Sequence, residues 1–166
     1  LAKNSDMDSA DYPDAREFAP NFWFDSEENY YPTNPLDFYY DENLEEVGGR
    51  EARKMYDALS KDAKLENFKV YYNIDDSGNE LAYQYWLFYV FNEGSINEHY
   101  GDWEVVHIFL NKNTMQVSKV VPSAHNGAQS RLIFSNSELA NPSVERSRIF
   151  VEKGSHANCI DGNMNG

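Results

Sequence analysis

The sequence predicts an all-β protein with minor α content: an antiparallel β-sandwich carrying one short helix. Three observations lead there. Short apolar or aromatic runs recur through the second half of the chain. Gly, Asn or Ser, residues that punctuate strands, separate them. Helical spacing is clear in one stretch, residues 49–64. Many short strands with one minor helix pack as facing antiparallel sheets.

The 166 residues are enough for one domain with a real core. Residues 1–17 are polar and acidic with few apolar anchors, and are expected to form an irregular or extended arm. The sandwich domain is placed at 18–160. Its first part mixes aromatics with Pro, as in Phe22-Trp23-Phe24-Asp25 and Glu28-Asn29-Tyr30-Tyr31-Pro32, which suits short strands and turns. In the helix at 49–64, Ala52, Met55, Tyr56 and Leu59 fall on one stripe. Strands are expected at 68–74, 81–91, 103–110, 115–121, 131–134 and 149–152. Residues 81–91 are apolar or aromatic at nearly every position, the pattern of a strand buried on both faces. Residues 161–166 read as a flexible tail. They match the first half of a D-x-N-x-N-G calcium loop but lack its closing acidic ligand.

Charge narrows the function classes. The chain carries 28 acidic and 14 basic residues, a net charge of −14. No basic patch is visible, so a nucleic-acid partner is not expected. Anionic membranes repel such a chain unless a cation bridges the two. Halophilic adaptation would give similar numbers. One cysteine, Cys159, allows no internal disulfide, and its nearness to His156 is weak grounds for a thiol nucleophile. No apolar run is long enough to span a membrane. The start at Leu1 without a signal peptide suggests a processed or trimmed chain, and the abundant Tyr, Phe and Asn suit an extracellular or cell-surface protein.

The run His99-Tyr100-Gly101-Asp102-Trp103-Glu104 carries the strongest chemical signal. Side chains alternate along a strand, so Asp102 and Glu104 share a face with Cα atoms about 6.5 Å apart. Trp103 takes the other face, where burial would make its loss cost roughly 3–5 kcal/mol. Gly101 lets the chain turn, and His99 can fold back over the carboxylates. Two carboxylates and an imidazole at one point suit a divalent cation. The same D-x-E spacing also occurs on ordinary solvated strand faces. His107 shares parity with Trp103 and should face away. His125 and His156 sit in turns just past strands, where sandwiches place binding groups. Both are expected to line the cavity of the acidic cluster.

Taken together, Phe18-Ala19-Pro20, Trp23-Phe24-Asp25, Glu28-Asn29-Tyr30-Tyr31-Pro32, Tyr85-Trp86-Leu87-Phe88-Tyr89, His99-Tyr100-Gly101-Asp102-Trp103-Glu104, Ser123-Ala124-His125-Asn126-Gly127 and Lys153-Gly154-Ser155-His156-Ala157 resemble the vacuolar protein sorting-associated protein sixty-two family. More distantly, His99, Asp102, Trp103 and Glu104 have the spacing of the G-H-R-H-D-W-E heptad of the necrosis-inducing cytolysins, and Ser123-Ala124-His125 is similar to a further segment of that family. This second resemblance implies a β-sandwich whose His, Asp and Glu help bind a divalent cation that engages a sugar-headed lipid. It also implies an acidic ligand before the heptad, for which Glu93 or Asn92 is the nearest match. Gly101 replaces the second heptad His and the framework disulfide is missing, so cytolysis is not carried over.

The expected metal ligands are therefore His99, Asp102, Glu104 and Glu93, holding Ca²⁺ or Mg²⁺. Mn²⁺ or Zn²⁺ would be favoured if His125 or His156 also reaches the ion. Three functions follow. The first is a cation-dependent surface module binding a polar small molecule, glycan or lipid headgroup. The second is a metal-assisted hydrolase, with His125 and His156 as candidate catalytic base and acid. The third is a structural or filament-forming extracellular subunit that self-associates and keeps a vestigial site.

Overall fold

A computed structural model describes residues 2–3, 12–94, 97–123 and 148–160. The described strands form two sheets. The larger contains β1 (Ala2–Lys3), β3 (Tyr71–Asp75), β4 (Glu80–Asn92), β5 (His99–Asn111) and β6 (Val117–Pro122), in the order β1-β3-β4-β5-β6. The smaller contains β2 (Asn21–Phe24), β7 (Arg148–Val151) and β8 (Asn158–Cys159) in the order β2-β7-β8. Neighbours from β3 to β6 are antiparallel, whereas β1 joins β3 and β2 joins β7 in parallel. The fold is the expected β-sandwich.

The core follows from strand alternation. Tyr83 pairs with Ile108, Tyr85 with Val106, Leu87 with Glu104 and Tyr89 with Asp102. Paired residues share a face. The inward face thus runs Leu81, Tyr83, Tyr85, Leu87 and Tyr89 along β4, and Leu110, Ile108, Val106, Glu104 and Asp102 along β5, all of them buried. Ile149 and Val151 of β7 pack onto it from the second sheet. The expectation that β4 is buried on both faces holds for its second half, where Leu87 through Asn92 are all buried.

Four short helices are described rather than one: α1 (Ala15–Phe18), α2 (Leu36–Tyr39), α3 (Gly49–Asp57) and α4 (Lys61–Glu66). The stretch predicted as one helix is α3 and α4, interrupted at Ala58–Ser60. Ser60 accepts from the Ala63 amide at 3.2 Å and so starts a new helix. Only Ala52 and Tyr56 of α3 are buried; Met55, on the predicted stripe, is exposed. In the expected N-terminal arm, Asp14 caps α1, and the Tyr83 and Tyr85 hydroxyls donate to the carbonyls of Pro13 and Ala15 at 2.7 and 2.6 Å. The strand expected at 131–134 and the tail at 161–166 lie outside the described residues. Among the described residues, no helix is long and apolar enough to cross a membrane.

Trp103 corrects one expectation. Alternation does set it opposite the carboxylates, but theirs is the inward face, so Trp103 lies on the outer one. It is 48% exposed, resting on Phe88, Tyr71 and Trp86 at centroid distances of 5.0, 6.0 and 6.4 Å. Half-burial of an aromatic is worth about 1–1.5 kcal/mol. Trp103→Ala should therefore lower unfolding free energy by that amount, while Leu87→Ala, in the closed core, should cost roughly 2–5 kcal/mol. Urea unfolding of both variants checks the ranking.

Candidate functional site: a buried carboxylate cluster at one end of the sandwich

Two carboxylates on the inward face of β5 need partners, because a buried charge without them is costly. Asp102 draws on three elements. Asn92, at the end of β4, donates from Nδ2 to Asp102 Oδ2 at 2.9 Å and to the Ser155 carbonyl at 3.1 Å. His156, in the turn between β7 and β8, donates from Nδ1 to the same Oδ2 at 3.1 Å. His99, at the start of β5, brings Nε2 to within 3.4 Å of Oδ1. Asp102 thus has one oxygen engaged from inside and the other turned to the rim. Glu104 accepts from the Ser123 hydroxyl, which in turn accepts from the Val105 amide.

His156 is fully buried between two acids. Its Nε2 faces Glu28 Oε1 at 3.9 Å, and its ring stacks on Tyr89 with centroids 3.7 Å apart and planes 4° from parallel. Glu28 is also buried. Its Oε1 accepts from the Asn29 and Tyr30 amides, each at 2.7 Å, and its Oε2 from the Gly154 amide at 2.9 Å. The turn is shaped for this. Gly154 has φ +73° and an added Cβ would lie 3.3 Å from Glu93 Cβ, while His156 itself has φ +59°. A left-handed non-glycine residue costs roughly 1 kcal/mol or more and persists where its surroundings over-determine it.

The protonation states follow from the cluster. Burial works against the His156 imidazolium, but the hydrogen bond to Asp102 and the charges of Asp102 and Glu28 outweigh it, raising its pKa above the usual 6.5. Burial likewise pushes Glu28 and Asp102 up. The nearby His156 charge and the Tyr30 and Gly154 amides at Glu28, and hydrogen bonds from His156 and Asn92 at Asp102, bring both below their usual values. All three shifts favour the charged forms over the neutral ones.

The other expected residues fall as follows. His107 faces the outer side, beside Phe109, and burial lowers its pKa. Glu93 does not join Asp102. Its amide donates to the Gly154 carbonyl at 2.7 Å, and its carboxylate lies 3.6 Å from the Arg53 guanidinium and accepts from the Asn29 side-chain Nδ2 at 3.3 Å. Asn92, the alternative to Glu93, occupies the place beside Asp102. His125 lies outside the described residues. Among the described residues, no three His, Cys, Asp or Glu side chains are arranged as a metal cluster. Sequence reasoning missed Glu28, whose signal was an acid two residues before the core aromatic Tyr30.

His156→Ala should destabilise the protein by roughly 3–5 kcal/mol, the usual cost of breaking a buried ion pair. The pH dependence follows in sign. The raised His156 pKa contributes stability below pH 6.5 that is lost as pH rises through its folded value. The lowered carboxylate pKa values contribute stability above their ordinary values, 4.5 for Glu28, lost as pH falls through the folded ones. With chelator present, unfolding free energy should peak between about pH 4.5 and 6.5. His156→Gln should flatten the alkaline limb, as denaturant titrations across pH would show.

No protein-family model matches the chain, and no curated protein matches it by sequence. Solved structures do. Necrosis and ethylene inducing protein 2, from the causal agent of cocoa's witches' broom disease, matches with a TM-score of 0.60 at 20% identity, over 89% of this chain and 66% of that one. NLPPya in complex with mannosamine matches at 0.58 and 15% identity, over 89% and 65%. NLPPya in complex with glucosamine matches at 0.56 and 18% identity, over 87% and 63%. This chain spans just under two thirds of the length of each. The comparisons give the vacuolar-sorting resemblance no support. They show that the chain has the β-sandwich fold of the necrosis- and ethylene-inducing proteins.

Proposed function

We propose that this protein is an extracellular binding module for a polar glycan or sugar-bearing headgroup, and that a divalent cation at the rim of the carboxylate cluster supports binding. One observation carries the reading. His99 Nδ1 lies 2.9 Å from the Asn97 carbonyl, a contact in which the ring nitrogen must donate. In the neutral ring this turns the Nε2 lone pair toward Asp102 Oδ1 at 3.4 Å. Two lone pairs facing each other at that distance repel unless a positive charge lies between. Two ligands at right angles on an ion with bonds of about 2.3 Å stand about 3.2 Å apart, so the spacing suits a shared cation. A carbonyl behind the far ring nitrogen is also the usual support of a metal-binding His.

The residues present fit such an ion. Asp102 Oδ1 and His99 Nε2 would hold it, with Glu104 the next acid on the same strand face. Oxygen-rich donors favour Ca²⁺ or Mg²⁺, with Mn²⁺ the alternative for the imidazole. When bound, the ion supplies a Lewis-acidic point for vicinal hydroxyls or phosphate oxygens. The protein orients His99 through Asn97 and keeps Asp102 ionised through His156 and Asn92. The amino-sugar complexes of fold neighbours make glucosamine and mannosamine suitable first probes.

Addition of millimolar Ca²⁺ should raise the melting temperature, with excess chelator reversing the rise. His99→Ala should reduce the shift and weaken cation affinity by about ten- to a hundredfold. Glucosamine binding, followed by calorimetry, should need the cation. Equal melting temperatures with Ca²⁺, Mg²⁺, Mn²⁺ and chelator would overturn cation dependence. Sugar binding that survives chelation would leave a glycan module without a metal.

A further inference from the structure

The outer face of the large sheet differs in composition from the buried end. Strand register sets its rows, because paired residues share a face. Phe88 stands beside Trp103, and Tyr71 beside Trp86 and Val105. One step further along, Asn73 stands beside Gln84 and His107. Trp103 is 48% exposed, and Tyr71, Trp86, Asn73, Gln84 and His107 are half-buried. The chain is 25% charged, yet none of these outward positions holds Asp, Glu, Lys or Arg. Asp75 and Lys119 come only in the row beyond. His107 belongs with the neutral groups, because burial lowers its pKa.

Two features give this face a binding chemistry. The first is the Trp103 indole. Phe88, Tyr71 and Trp86 meet it at interplanar angles of 53°, 60° and 78°, so none of the three lies flat on it. They support the ring at a tilt and leave π surface open. The electron-rich face of an indole attracts polarised C–H groups, which a pyranose ring presents on its flat side. The second is the carboxamide row. Asn73 Nδ2 donates to Gln84 Oε1 at 3.1 Å. That bond orders both side chains and leaves the Asn73 oxygen to accept and the Gln84 nitrogen to donate. The row lies about 7 Å along the sheet from Tyr71 and Trp86, two residues of a strand. A sugar ring on the indoles therefore has hydroxyl partners beside it.

We propose that the outer face of β3, β4 and β5 binds a neutral oligosaccharide, with Trp103 and Trp86 as the stacking surface and Asn73 and Gln84 as the hydroxyl contacts. The proposal rests on the glycan reading given above and not on its cation. Asp102 and Glu104 flank Trp103 in sequence but lie on the opposite, buried side of β5. Size and charge select the occupant. Three rows on three strands span about 13 Å by 10 Å. That is roughly 130 Å², against about 800 Å² per partner in a stable protein interface. A second copy would also bring a further net charge of −14 to the contact. An uncharged face offers an anionic sugar or a phosphate no counter-charge, so the ligand it complements is neutral.

Calorimetric titration of cellotetraose and N-acetylchitotetraose in excess chelator, with tryptophan emission followed in parallel, tests this. The wild type should bind at least one of them with a change in emission, and replacing chelator by Ca²⁺ should leave that affinity unchanged. Trp103→Ala, with melting curves to show that it folds, should weaken binding by about tenfold or more. Trp103→Phe should keep most of the affinity, and Gln84→Ala should lower it. Trp23→Ala removes an indole that is 53% exposed on the small sheet and should bind as the wild type does. Binding of neither sugar in chelator overturns the proposal, as does binding that appears only with Ca²⁺; the cation reading, tested with glucosamine and Ca²⁺, then stands or falls separately. Equal affinity in the wild type and folded Trp103→Ala also overturns it. A dimer in sedimentation that Trp103→Ala dissociates would make the face a self-contact and overturn it as well. Should Trp103→Ala not fold, Gln84→Ala decides, and unchanged affinity there overturns the proposal.

Discussion

Asp102 and Glu104 occupy inward positions of a central core strand, and the end of the sandwich they occupy is organised around that fact. Along β5 the inward residues pass from Leu110, Ile108 and Val106 to Glu104 and Asp102, and the facing β4 positions pass from Leu81 to Tyr89. One end of the interlayer space is therefore aliphatic and the other ionic. Leaving two carboxylates dry and unpaired would exceed the whole stability of a domain this size. The answer is assembled from distant parts of the chain: Asn92 from β4, Ser123 beyond β6, and His156 from the turn after β7.

The turn between β7 and β8 shows how far the chain goes to meet this demand. Gly154 and His156 both adopt left-handed backbone. In return the Gly154 amide reaches Glu28, its carbonyl receives the Glu93 amide, and His156 lies between Glu28 and Asp102. The imidazolium joins the segment before α2, the end of the large sheet and the small sheet through a single side chain. The ion triad is thus a clamp between layers as well as a charge balance, and its tyrosine stack keeps water away from both contacts.

Much of this was legible in local sequence and the rest was not, for physical reasons. Strand alternation has a fixed period, so the shared face of Asp102 and Glu104 and the opposite face of Trp103 and His107 could be read from four residues. Alternation says nothing about which face is inward, and the burial expected for Trp103 fell on the carboxylates instead. The single helix at 49–64 split because Ser60 caps a second one, a local bond that outweighs a continuous apolar stripe. Glu28 was hidden because its role depends on a residue 128 positions away, and no spacing rule spans such a separation.

The two described histidines of the cluster divide its work. His156 has a carboxylate near each nitrogen and no exposed surface, so its charged form is favoured and it serves the fold. His99 has the Asn97 carbonyl at one nitrogen and Asp102 at the other, near the rim. A ring in that setting can share a cation with the acid. Because His156 and Asn92 already satisfy Asp102 Oδ2 from inside, Oδ1 is the oxygen left to the rim. The inner clamp therefore does more than hold the layers together. It keeps Asp102 ionised and fixes which of its oxygens faces outward, and that oxygen, paired with His99 Nε2, is what a ligand arriving at this end of the sandwich would meet.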